Sequence, residues 1–215
     1  MKSKILLLVT IIFSFAATSN AQINKDRVLL GGSISYSTAK NQQSAGSKSE
    51  IFYSNILIGK IVNDNNVVGA IFSYGYTRGN YYNIVDEYSA GIFYRKYKSL
   101  LKSLYFFGEI DATYNYTKNT NGIFSAGMDG TRYKSNGVSA AFIPGISYSL
   151  CKRMQVELLM PDIVSLSYLG TKTDYTSSTS PSVPSVKGNY FSVSTNLNSN
   201  FLSNFGIGFK FLLGK

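Results

Sequence analysis

At 215 residues the chain suits a single domain, and it contains no His, no Trp and one Cys, Cys151. That composition rules out a Ser-His-Asp triad, argues against zinc chemistry and excludes an internal disulfide framework. A formal charge of +10 admits nucleic acid, anionic lipid or mere solubility as its reason.

Residues 1–21 read as a signal peptide. Lys2 and Lys4 form a basic start, Ile5 to Phe15 a short apolar stretch, and Ser19-Asn20-Ala21 a small-residue cleavage site before Gln22. The apolar run is too short for a membrane-spanning helix, which needs about 20 residues. Without Lys2 and Lys4, 19 basic residues stand against 11 acidic ones, a charge of +8. An exported protein has little access to nucleic acid, so acidic lipid is the expected partner.

The remainder, 22–215, alternates with a period of two, the signature of strands between unlike media. In Val28 to Thr38, Val28, Leu30, Ile34 and Tyr36 share one face, and Gly31, Ser33, Ser35 and Ser37 the other. Val67 to Thr77 sets Val68, Ala70, Phe72, Tyr74 and Tyr76 against Gly69, Ser73, Gly75 and Thr77. In 104–117, Phe106, Ile110, Ala112, Tyr114 and Tyr116 oppose Tyr105, Phe107, Glu109, Asp111, Thr113 and Asn115. Eight such segments follow in order: 27–38, 50–62, 66–77, 85–97, 104–117, 136–150, 154–168 and 189–212. Pro161-Asp162 interrupts the seventh, and the eighth shifts phase near Asn198 to Asn200, so each is expected to carry a bulge or break.

Short connections at Asn63 to Asn66, Lys98 to Ser103 and Cys151 to Arg153 alternate with longer ones at 39–49, 78–84, 118–135 and 169–188. The fold expected is all-β: an eight-stranded, antiparallel, up-and-down transmembrane β-barrel with short periplasmic turns and longer outer loops. Closure leaves no edge for lipid to desolvate.

Gly91-Ile92-Phe93-Tyr94, Gly145-Ile146-Ser147-Tyr148 and Gly206-Ile207-Gly208-Phe209 repeat one pattern in alternate strands. Alternation points each leading Gly inward, into a narrow lumen, and places Tyr94, Tyr148 and Phe209 outward as interfacial aromatics near the inner membrane boundary. Phe209 and Phe211 end the chain in an alternating aromatic strand, with Leu212 to Lys215 beyond it. The segments Gly91-Ile-Phe-Tyr-Arg-Lys-Tyr, Phe107-Gly-Glu and Pro144-Gly-Ile-Ser-Tyr resemble the small outer-membrane β-barrel domain family, porin-like, of Gram-negative bacteria. The resemblance runs from about Arg27 to Leu213. It implies an integral outer-membrane protein that meets the barrel assembly machinery through its C-terminal strand, and it brings no catalytic residues.

Glu87, Arg95, Glu109, Asp111, Glu157 and Lys210 all fall on the inward face, where they avoid the roughly 2–4 kcal/mol that a charge costs in mid-bilayer. Arg95 and Glu109 are expected to pair, within a network joining Asp111, Glu157 and Lys210, and to plug a lumen barely wide enough for its own side chains. No catalytic, cofactor or metal site is legible. Lys40, Lys48, Lys118, Arg132, Lys134, Lys172 and Lys187 bring positive charge to the outer loops, where lipopolysaccharide phosphates would lie. The function expected is a non-enzymatic structural or adhesive barrel. A narrow porin-like pore or transport component, and a soluble lipocalin-like carrier, are the alternatives.

Overall fold

A computed structural model describes residues 23, 25–41, 47–79, 83–122, 130–160, 162–176, 184–195 and 206–214. The signal segment 1–21 and the phase shift at Asn198 to Asn200 lie outside them. Ten strand segments form one antiparallel sheet: β1 (Val28–Asn41), β2 (Ser47–Asn63), β3 (Asn66–Arg78), β4 (Ile84–Leu101), β5 (Leu104–Gly122), β6 (Gly130–Cys151), β7 (Met154–Leu159), β8 (Val164–Thr176), β9 (Val186–Ser194) and β10 (Gly206–Leu213). β1 to β6 pair in chain order, β6 continues to β7 near its end and to β8 near its start, and β10 joins β7 to β1. β7 with β8, and β9 with β10, each occupy one position in the wall. The result is a closed, up-and-down, eight-stranded barrel.

Val28, Leu213 and the turns at Asp64-Asn65, Lys102-Ser103 and Lys152-Arg153 mark one end, called the near end. Asn65 sits at φ 69°, a left-handed conformation that Asn tolerates, and each of these three turns has a register shift beside it. Cys151 is the exposed last residue of β6, at the turn's edge.

Strands run farther at the other end than the apolar alternation does. β1 reaches Asn41, β2 begins at Ser47, β5 and β6 pair out to Gly122 and Gly130, and β8 ends at Thr176. Much of 39–49, 118–135 and 169–188, expected as loop, is therefore paired strand. Outside the apolar band both faces carry Ser, Thr, Asn and Lys, so the sequence contrast vanishes while the backbone ladder persists. Among the described residues, β1 from Ser33 onward pairs only with β2, and β9 only with β8; the wall closes through β1 and β10 at the near end.

The sheet's outer face is the apolar one. Ile34, Ile56, Phe72, Ile92, Ile110, Val138, Leu166 and Ile207 all stand exposed on it. The near half of the interior holds the packed core, with Leu29, Leu57, Ile61, Val67, Phe93, Tyr97, Phe107 and Leu212 buried. Ile23, ahead of β1, is buried with them, and its carbonyl accepts the amide of Asn65 at 3.2 Å.

Candidate functional site: the lumen

Arg95, on β4, lies directly opposite Glu109, on β5, because the turn at Lys102-Ser103 fixes their register. Both side chains point inward and are buried. Arg95 Nε donates to Glu109 Oε2 at 2.6 Å, and Nη1 crosses the lumen to Glu157 Oε1, on β7, at 2.7 Å. The Tyr97 hydroxyl accepts from Arg95 Nη1 at 3.0 Å and donates to Glu157 Oε1 at 3.1 Å. The guanidinium also lies over the Phe107 ring, 4.3 Å from its centroid. From β10, Lys210 Nζ reaches Glu157 Oε2 at 3.7 Å.

The structure thus joins Arg95, Glu109, Glu157 and Lys210. Asp111 lies one inward step along β5 from Glu109, is buried, and leaves Oδ1 without a hydrogen-bond partner. Glu87 shares the face but not the cluster. It is eight residues from Arg95 on the same strand, about 26 Å at strand rise, and exposed at the far part of the lumen.

Glycines make the room that this arrangement uses. A side chain at Gly31 would occupy the stem of Lys210, and one at Gly145 the ring of Phe107. Gly59 and Gly69 face each other across β2 and β3, and the Phe93 ring lies against both. Gly31, Gly59, Gly69 and Gly145 are therefore seats for the plug's own large side chains. The plug is part charge and part aromatic, since Phe93, Tyr97, Tyr105 and Phe107 are buried on its near side, the Tyr97 ring edge-on to Tyr105 and tilted against Phe107.

Beyond the charges the lumen widens into a cavity of about 800 Å³ with Arg95, Glu109, Asp111 and Lys210 at its floor. Its wall mixes interlinked polar side chains with Leu57, Ile71, Ile143 and Leu169. Thr113 Oγ1 and Ser139 Oγ are 2.9 Å apart, Asn115 Nδ2 donates to Ser139 Oγ at 2.7 Å, and Asn55 Nδ2 to Ser73 Oγ at 3.2 Å.

Of the motif aromatics, Tyr94 and Phe209 are exposed on the outer face, and the Tyr94 hydroxyl donates to Asn66 at the near-end turn. Tyr148 is half-buried there, with its hydroxyl covered. A second group, Phe52, Tyr74, Tyr76, Tyr88 and Tyr116, clusters toward the far end with successive ring centroids 5.1–6.4 Å apart. Arg78 closes it, stacked on Tyr76 at 5.0 Å and paired with Asp86 at 2.7 Å. The sequence signal for this cluster was present in the alternate tyrosines 74 and 76 and in Tyr116, but only lateral register brings the rings together.

No protein-family model and no curated protein sequence matches the chain. Among the described residues no three His, Cys, Asp or Glu side chains converge as a metal site would require.

Proposed function

We propose that this chain is an exported, integral outer-membrane β-barrel with a structural or adhesive role, and that it carries out no catalysis. The observation that carries the reading is the inversion of polarity. Large apolar side chains cover the outside of the barrel, while charged side chains are buried on its inside, at the floor of a cavity whose wall mixes Ser, Thr and Asn with Leu and Ile. A soluble carrier of apolar ligands needs a polar outer face and has no use for a charged cavity floor. In water, an outer face of this kind would be an exposed apolar patch far beyond the few hundred Å² usual for a monomer.

Aromatic residues at both margins of the apolar band support the same reading, since Tyr seats its ring in the interface and its hydroxyl in water. The paired, polar strand extensions at the far end offer the surface for external contacts. The export signal read from residues 1–21 belongs to this proposal, as does delivery by the barrel assembly machinery through the Phe209–Phe211 strand.

Cell fractionation tests it directly. The protein should sediment with outer membranes, resist carbonate extraction, and migrate faster on a denaturing gel unheated than boiled. Recovery from the soluble periplasm without detergent would overturn the reading.

A further inference from the structure

The outer surface of β5, β6, β8 and β9 is organised in cross-strand rows. Tyr114, Val138, Tyr168 and Phe191 lie side by side in one apolar row. The next outward row toward the far end is Tyr116, Asn136, Gly170 and Asn189. The row after that is Lys118, Lys134, Lys172 and Lys187, four lysines in direct register on four adjacent strands. They span three strand spacings, about 14 Å, and stand about 13 Å along the strands from the apolar row.

Like charges directly opposite one another in a sheet repel, so four in a line call for a counter-charge. Among the described residues the supply is small. Asp174, one row farther on, takes Lys172 at 2.9 Å, but Arg132 lies opposite it in that same row and restores the balance. Asp86, next in the lysine row on β4, is engaged by Arg78. Near-end lysines on the same outer face are arranged differently: Lys60 opposes Val28 and Val68, Lys96 opposes Asn66 and Gly108, and Lys98 opposes Phe106. Among the described residues only the far row sets four lysines in line, and Lys40 opposite Lys48 on β1 and β2 is a separate pair.

We propose that Lys118, Lys134, Lys172 and Lys187 form a binding strip for the phosphates of an outer-leaflet lipid headgroup, of the lipopolysaccharide class. This rests on the outer-membrane reading, because it takes the apolar row as the edge of the hydrocarbon layer. The lysine stems then cross the interface and their ammonium groups meet the headgroup layer. A line of about 14 Å suits a headgroup bearing phosphate at two positions rather than a single point anion.

The test uses the full barrel in phosphatidylcholine nanodiscs with a minority of bisphosphorylated lipid A, and native mass spectrometry counts the lipid A retained. Two variants of equal charge loss are compared: Lys118→Gln with Lys134→Gln, Lys172→Gln and Lys187→Gln, and Lys60→Gln with Lys96→Gln, Lys98→Gln and Lys102→Gln. The near-end variant should retain lipid A as the unmodified protein does. The far-row variant should lose it, at roughly fivefold in affinity for each lysine, and dephosphorylated lipid A should not be retained by any form. Equal loss in both variants, or retention without phosphate, overturns the strip. Insertion into phosphatidylcholine alone is scored first: a barrel that inserts but ignores lipid A refutes only the strip, whereas one that does not insert refutes the membrane reading beneath it.

Discussion

At the scale of single residues, Arg95 holds the lumen together, since its guanidinium serves two carboxylates, a hydroxyl and an aromatic face. Arg95→Ala would strand Glu109 as a buried charge without its ion-pair partner and leave Glu157 to Lys210 and Tyr97 alone, and removing one partner of such a pair commonly costs about 3–5 kcal/mol. The double variant Arg95→Ala with Glu109→Ala should be less damaged than the two single losses added, and adding Glu157→Gln should recover more. Urea midpoints of the folded band on cold gels measure this, and strict additivity would show that the three do not act as a unit. Gly69 sets a second limit, because a Cβ there would press on the Ile58 carbonyl and the Phe93 ring. Gly69→Ala should cost about 1–3 kcal/mol by the same assay, and an unchanged midpoint would mean that the β2 backbone as well as Phe93 can give way. Alternation was enough to place all six charges on one face. It was silent on distance along the strand, which is why Glu87 falls outside the cluster. Ile23 was equally invisible, since it precedes the alternating region and its burial depends on where the near end closes.

At the scale of the element, the break between β7 and β8 keeps the wall's two faces in order. Gly145 opposes Leu159 and Phe142 opposes Val164, so residues 160–163 on one strand face only 143 and 144 on the other. The excess is two residues, an even number, and inward positions remain inward on both sides of the break. The amides of Met160 and Ile163 still bond to the carbonyls of Pro144 and Phe142, bridging the irregularity. Deleting Asp162 alone makes the excess odd. Every side chain of β8 would then change face, taking Val164, Leu166 and Tyr168 into the lumen and Ser165 and Ser167 outward. Deleting Pro161 and Asp162 together preserves the parity. The single deletion should therefore abolish the heat-modifiable band and the double deletion should keep it, and equal behaviour would show that register here is not set by this segment. Pro161-Asp162 announces an interruption in the sequence, but its size is readable only from the partners on either side. The far-end strand extensions were hidden for a related reason: where both faces meet water, a paired strand and a polar loop have the same composition.

For the whole molecule, the packed near half and the open far half make the barrel a cup with a floor. Eight strands enclose an interior that side chains can fill, and here they fill it from Ile23 and Leu212 up to the layer of Arg95, Glu109 and Glu157. Above that layer the cavity of about 800 Å³ carries linked hydroxyl and amide groups on a wall that also includes Leu57, Ile71 and Leu169. Ions entering it would reach a floor in which Arg95 is already paired with Glu109 and Glu157 and, beneath it, four aromatic rings. The structural role therefore fits the interior better than a conducting one. In planar bilayers the purified protein should be electrically silent at moderate voltage and salt, even where insertion is verified by protease protection. Steady, stepwise conductance from protein of proven insertion would show that the floor opens, and would make the pore the better account of the same fold.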